Sequence, residues 1–424
     1  MVGRQSGSGL CCATLLLAVL LAQAGAPAAI AGPNDWMSFG SRSTDTATID
    51  RNFIRQWESN PPPGYPTLSP ANIAATQAAI KRYEAIVAAG GWKEIPVDGL
   101  ALGSNGPAVE ILRERLKLSG DLQDDSWMPQ HFDYYLEKAV KRFQASNGLA
   151  PTGIVDKRTR AAMNVPADVR LKQLRLGLSR LKQFTSRTGK GRYVVVNVPA
   201  AQIEAVENDR VVSRHAGVVG KPDRKTPDLT SSIHELNFNP VWHLPPTVIS
   251  QDLIPKGRQM QKAGQSVLVK YGIDAYDGEG RKVDPEKINW NSSRPLSLSY
   301  RQKPGEGNPM GFLKINFHNS HSVYMHDTPS DSLFGRNFRA ASSGCVRVQN
   351  IEKLAAWLLA EQGGWDSARI AEMKASVKRE DVRLKKPVRL YFTYITAWAT
   401  EDGVVQFRRD LYLRDKLGKQ VASY

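Results

Sequence analysis

The stretch "HDTPSDSLFGRNFRAASSGCVRVQN", residues 326–350, opens on a histidine and closes around a cysteine. The chain has three cysteines, and the other two, Cys11 and Cys12, stand near the N-terminus at the start of an apolar run. That run, Leu10 to Ala22, follows Arg4 and leads into "AAIAGPND", the layout of a secretory signal peptide over residues 1–31. An uncleaved membrane anchor is the alternative, against which the apolar core is short. Cleavage leaves Cys345 alone in a compartment where disulfides normally form. A lone exported thiol is either buried and inert or kept for its reactivity.

Composition narrows the partners. The chain has 424 residues, room for two or three domains, and a formal charge of +16. Such a balance calls for an anionic partner. An exported chain with no nucleic-acid motif points to anionic cell-wall polymer or a membrane surface rather than nucleic acid. The basic run 374–389 is diluted by Glu380 and Asp381 and reads as a solvated face.

Outward from the cysteine, the pattern changes from strand to helix. From about residue 192, "RYVVVNVPAAQIEAVENDRVVSRHAGVVG" alternates β-branched residues around the turn signal Asn208-Asp209. Residues 32–67 are polar and Pro-rich, with a linker signal in "PPPGYP". Ser69-Pro70 reads as a helix cap, and Ile73, Ile80, Tyr83 and Val87 keep helical spacing up to Gly90. Between 102 and 165 three helices are expected, through Val109–Leu116, Val140–Phe143 and Thr159–Met163. A further helix over 168–184 carries Leu171, Leu174, Leu178 and Leu181 on one face and Arg170, Lys172, Arg175, Arg180 and Lys182 on the other. It either lies on a membrane surface or packs against helix 70–89 as a scaffold interrupted by the three-helix unit.

Two resemblances follow. "AVKRFQ" with "GLAPTGIVDKRT" resembles the small three-helix peptidoglycan-binding domain of cell-wall enzymes, which implies wall anchoring. A helical spacer is the alternative. "VVGKPDRKTP", "NFNPVWHLPP" and the pairing of His326 with Ser342–Cys345, Arg347 and Asn350 resemble the catalytic domain of the L,D-transpeptidases. The large, multi-domain Gram-negative members are the most similar. The resemblance implies an α+β, multi-domain protein. Its expected parts are a signal peptide (1–31), linker and first scaffold part (32–101), peptidoglycan-binding unit (102–165), second scaffold part (166–191) and mainly-β catalytic domain (192–424). Residues 253–303 are expected as an insertion in that last domain, which in the large members forms a lid over the site.

The chemistry of acyl transfer asks for a nucleophile, a base and donors for the developing oxyanion. A free thiol titrates near pH 8.5, so Cys345 needs a proton acceptor, and His326 is the candidate. The family implies that a backbone carbonyl orients the other ring nitrogen; the Asp327 carboxylate is the alternative. The Gly344 amide, with that of Cys345, is the expected oxyanion hole. Tyr324, two residues before His326, is either a hydroxyl donor to substrate or oxyanion, or a core tyrosine. Arg347 suits a stem-peptide carboxylate, with a structural ion pair as the alternative. Ser343 stands where many members carry histidine, so no role of that histidine transfers. Ser343, Asn350 and Trp290 complete the expected substrate contacts; Asn350 reads rather as holding the loop, and Trp290, with Tyr300, as packing on the lid or over substrate.

No metal or cofactor is expected. His318 and His321 read as the tip of a hairpin, with His326 about 16 Å beyond His321 at strand rise, too far to share one ion. The resemblance implies a periplasmic enzyme in which Cys345 attacks a tetrapeptide stem, releases D-alanine and passes the acyl group to a second stem as a 3→3 crosslink. Water as acceptor makes an L,D-carboxypeptidase, and a lipoprotein lysine makes an attachment enzyme. A non-catalytic wall-binding protein is the reading from another class. The partners implied are peptidoglycan stems and glycan, with carbapenem β-lactams as acylating inhibitors.

Overall fold

The computed structural model describes residues 66–123, 127–189 and 191–424. The signal-peptide reading of 1–31, with Cys11 and Cys12, lies outside these residues, as does most of the linker. Among the described residues no helix is long and apolar enough to cross a membrane.

Helix α1 (Pro70–Ala88) starts where Ser69 Oγ accepts the Ala71 N–H at 3.2 Å, with proline already at the first helical position. Its buried face, Ala79, Ile80, Tyr83 and Ile86, packs on the later helix α5 (Ala167–Thr185) through Leu171 and Leu174. Between them lie α2 (Pro107–Ser119), α3 (Tyr134–Ser146) and α4 (Lys157–Met163). Asp133 and Asp156 cap α3 and α4, accepting the Leu136 and Thr159 N–H groups at 2.8 and 2.7 Å. Val109, Leu112, Leu116, Val140, Phe143 and Met163 make one apolar core, which the C-terminal Val421 and Tyr424 join.

Arg170 corrects the helical-face reading of α5. Expected among solvated cations, it is 1% exposed. It donates to Gln173 Oε1, Tyr424 Oη, Asn147 Oδ1 and the Ala162 carbonyl. The C-terminal tyrosine and α3 close over what periodicity assigns to solvent.

The strands run β1 (Arg192–Asn197), β2 (Gln202–Glu207), β3 (Arg210–Gly220), β4 (Leu229–Phe238), β5 (Trp242–His243), β6 (Ile273–Tyr276), β7 (Lys282–Val283) and β8 (Ser299–Gln302). They continue as β9 (Leu313–Phe317), β10 (Met325–His326), β11 (Ala340–Ser342), β12 (Val346–Val348), β13 (Glu380–Thr393), β14 (Ala397–Ala399) and β15 (Val405–Phe407). One sheet follows the order β11-β3-β12-β10-β9-β4-β13-β1-β2, and β2 pairs back onto β3, so the strands close on themselves. Closure leaves few exposed edges and surrounds an apolar core of Val194, Ile203, Leu236, Ile315, Val346 and Leu390. Helices α8 (Ile351–Leu359) and α9 (Ser367–Ser376) add Leu354, Leu358, Ile370 and Met373 to it.

The insertion is wider than 253–303. β5, β6, β7 and β8 form their own four-stranded sheet, and a separate core runs from Trp242 to Met310. Its helical part is continuous from Pro246, with a five-residue π turn at Ile249–Leu253 before α6 (Ile254–Lys262), followed by α7 (Val267–Tyr271).

Candidate active site

Parallel pairing of β10 with β12 sets His326 beside Arg347, and antiparallel pairing with β9 sets His326 opposite Lys314. Cys345 directly precedes β12, so the thiol, the imidazole and the guanidinium reach one cavity of about 240 Å³. Tyr324, Ser343, Trp242 and Met310 also line it. The insertion thereby supplies part of the wall.

Burial sets the resting protonation. It pushes the Cys345 thiol up to about 11, against hydrogen bonds from the Tyr324 N–H and hydroxyl and the nearby charges of Lys314 and Arg347. Burial, with the Arg347 charge beside it, brings His326 down to about 3. At neutral pH the pair is therefore thiol and neutral imidazole, not a resting thiolate–imidazolium pair. His326 Nδ1 lies 2.6 Å from the Asp327 carbonyl. A carbonyl only accepts, so Nδ1 carries the hydrogen and Nε2 keeps its lone pair. The Asp327 carboxylate faces away from the ring and accepts the Phe312 N–H at 3.0 Å. Burial raises it to about 6.

Several sequence expectations change here. The Gly344 N–H is engaged by Ser342 Oγ at 3.1 Å, and that hydroxyl donates to the Cys345 carbonyl at 2.5 Å. Gly344, at φ 114°, shapes the turn rather than offering its amide. Tyr324 lines the cavity with the sulfur, and its oxygen accepts from Trp242 Nε1 at 3.2 Å. Trp290 is 2% exposed inside the insertion's core, stacked on Tyr300 with ring centroids 6.2 Å apart, and does not line the cavity. Asn350 is exposed at the N-terminus of α8 in the left-handed region, φ 48°, also off the cavity. His321 does line the cavity, because residues 318–324 turn rather than extend. His318 instead stacks on His234, with centroids 4.1 Å apart. Arg347 is 3% exposed and donates to Thr328 Oγ1 at 3.4 Å.

Residues that hold the Cys345 loop were not legible in the sequence. Thr226, fully buried, donates to the Gly344 carbonyl at 2.8 Å and accepts the Gly220 N–H at 2.9 Å. Arg224 donates to Ser343 Oγ at 2.7 Å. Lys314 lies over the Tyr324 ring, 4.7 Å from its centroid. Nothing in "GKPDRKTP" or "FLKINF" announces these roles, since they depend on register with distant strands.

Comparison with known proteins follows the same division. Residues 191–388 match the family model of the YkuD L,D-transpeptidase catalytic domain, and 105–163 that of the "Putative peptidoglycan binding domain". A protein of Haemophilus influenzae described as "Putative L,D-transpeptidase" is 34% identical over 226 residues, 53% of this chain but 44% of that protein. The match thus spans less than half of that relative. An L,D-transpeptidase structure from Xylanimonas cellulosilytica covers 71% of this chain and 100% of its own at 15% identity, TM-score 0.24. One from Mycobacterium smegmatis covers 49% and 60% at 16% identity, TM-score 0.23. Residues 191–388 carry an L,D-transpeptidase catalytic domain of the YkuD family, and residues 105–163 before them a domain of the peptidoglycan-binding family.

Proposed function

We propose that the protein is a periplasmic L,D-transpeptidase that forms 3→3 peptidoglycan crosslinks through a Cys345 thioester. The observation that carries this reading is the convergence of Cys345, His326 and Arg347 on one cavity within the matched catalytic domain. Arg347 receives a carboxylate of the donor tetrapeptide stem. Cys345 Sγ attacks the carbonyl after the third residue, and its proton passes to His326 Nε2. The Cys345 N–H faces the oxyanion, while Tyr324 steadies the sulfur as charge develops on it. An imidazolium held down near 3 is a strong acid. It returns its proton to the leaving amine as the C–N bond breaks and D-alanine departs. The side-chain amine of a second stem then attacks the thioester, the C–S bond breaks, and the thiol is restored.

The acceptor decides the product: a stem amine gives the crosslink, water a trimmed stem, a lipoprotein lysine an attached protein. Residues 102–165 act as the wall anchor, raising local substrate concentration without touching the chemistry. Mass analysis of products from purified disaccharide tetrapeptide tests the reading. The expected product is a dimer lacking one D-alanine, absent with Cys345→Ala. Turnover that survives Cys345→Ala overturns it.

A further inference from the structure

A second cavity, of about 530 Å³, runs between the helical unit and the strand domain. Arg82, Arg115, Arg142, Arg170, Arg214 and Arg408 line it. They face three carboxylates, Asp121, Glu204 and Asp402. Those carboxylates are already engaged. Glu204 pairs with Arg214 at 3.1 Å and accepts the Thr67 N–H at 2.7 Å. Asp121 accepts from Ser119 Oγ at 2.6 Å, and Asp402 from Thr400 Oγ1 at 2.5 Å.

The guanidiniums are less well served. Arg170 and Arg408 are buried, and their hydrogen bonds go to neutral acceptors such as Tyr424 Oη and the Ser146 carbonyl. Arg115 is 3% exposed; its Nε donates to the Met163 carbonyl at 3.0 Å, and its plane lies 3.7 Å over Trp92. Its Nη1 is sealed from water and has no hydrogen-bond partner among the described residues. A buried charged donor left unpaired is costly, and native structures leave few of them. Arg82 and Arg142 stand exposed at the mouth, grouped with Arg115 around the single Asp121 carboxylate.

We infer that this cavity binds a carboxylate of a peptidoglycan stem peptide, at a site separate from Cys345. The inference rests on the wall-crosslinking reading for its choice of ligand. A fork of guanidiniums fits carboxylate and phosphate alike. The carboxylates decide between them: Asp121 and Asp402 are each held through one oxygen, and the other accepts the amines of a zwitterionic stem and repels an all-phosphate polymer. Tyr83, Phe143 and Trp398 supply apolar wall for the peptide's uncharged parts.

The test is calorimetric titration of soluble disaccharide tetrapeptide into the full chain carrying Cys345→Ala. Two binding events are expected. Arg82→Glu with Arg142→Glu, both exposed and so tolerated by the fold, should weaken one event at least ~10-fold and spare the other. The same charge reversals in protein with Cys345 intact should leave carbapenem acylation unchanged. Inorganic phosphate should not displace the peptide at matched concentration. A single event indifferent to the charge reversals overturns the site, and displacement by phosphate overturns the carboxylate assignment. Failure of the catalytic reading looks different: acylation is then absent while the arginine-dependent event persists.

Discussion

Arg224 grips Asp252 through two hydrogen bonds, Nη1 to Oδ2 at 2.6 Å and Nη2 to Oδ1 at 3.1 Å, and its Nη1 also donates to Ser343 Oγ. Asp252 lies in the π turn of the insertion, and Ser343 stands two residues before Cys345. One guanidinium thus joins the insertion to the loop that carries Cys345. Both side chains are nearly buried, 12% and 9% exposed, so solvent screens the pair little.

Breaking that pair should loosen the loop without touching the thiol. Asp252→Ala leaves a nearly buried guanidinium unpaired and is expected to slow Cys345 acylation by about 10-fold, with a drop in melting temperature. Arg224→Lys keeps the charge but loses the fork, so its effect should be intermediate. A double-mutant cycle with Arg224→Ala should give coupling above about 0.5 kcal/mol. Additive effects would mean that the contact does not position the loop.

Resting neutrality of the pair predicts an unusual pH profile. With the thiol pushed up to about 11, iodoacetamide alkylation of Cys345 should keep rising through pH 9 to 11, where an exposed thiol levels off. Lys314→Met removes a charge that favours the thiolate and should shift the rise further up. Acylation assisted by His326 should stay flat near neutrality, since the imidazole remains neutral down to about 3. Stability follows a related rule. His326, at about 3, and His215, at about 4, both sit below the unfolded value of 6.5. The unfolded chain therefore gains protons first as pH falls below 6.5, and stability should be lost toward pH 4. Asp327, raised to about 6, opposes this over the window from 3.8 to 6, where acid favours its folded form. Melting curves between pH 4 and 7 check the balance, and His215→Asn should flatten it.

Gly344→Ala separates backbone conformation from space. A Cβ there would meet the Lys225 and Arg224 carbonyls only at 3.7 and 3.8 Å, ordinary contact distances. The cost lies in φ 114°, which an L side chain adopts only under strain of about 1–3 kcal/mol. The variant should fold, melt a few degrees lower, and acylate more slowly because relaxation of the turn moves Cys345. An unchanged acylation rate with lowered melting would detach the turn from catalysis.

The legible parts were those that local pattern dictates. Ser69 with Pro70, the leucine face of α5 and the Asn208-Asp209 turn appear where sequence puts them, with both turn residues at positive φ. The spacing of His326 and Cys345 reads as a site because loop and strand are contiguous. Register is what the sequence withholds. Lys314 comes to lie over the Tyr324 ring because β9 pairs with β10, and Thr226 reaches Gly344 across a separation of 118 residues. Trp290 misleads for the same reason: an aromatic residue in an insertion serves substrate or core equally well until its neighbours are known. Here Gly257 lies flat against its indole, and a Cβ would overlap the ring.

A carbapenem tests the nucleophile assignment directly, since its strained amide carbonyl resembles the donor carbonyl and its carboxylate resembles that of the stem. Cys345 should gain one adduct, visible as a single mass addition on the peptide that contains it, and Cys345→Ala should gain none. His326→Ala should slow adduct formation by about 10²–10⁴-fold, the usual cost of a lost general base. Arg347→Ala should slow it less, and mainly by raising the drug concentration needed for half-maximal rate, because the guanidinium binds rather than transfers protons. His326→Ala acylating at the wild-type rate would remove the imidazole from its role. Wild-type protein that never gains the adduct while its thiol still reacts with iodoacetamide would indicate a cavity closed by the insertion. A variant lacking residues 253–303, which keeps Trp242, Asp252 and Met310, then decides the matter: adduct formation in it means closure, and continued resistance means that the cavity does not accept an acyl donor.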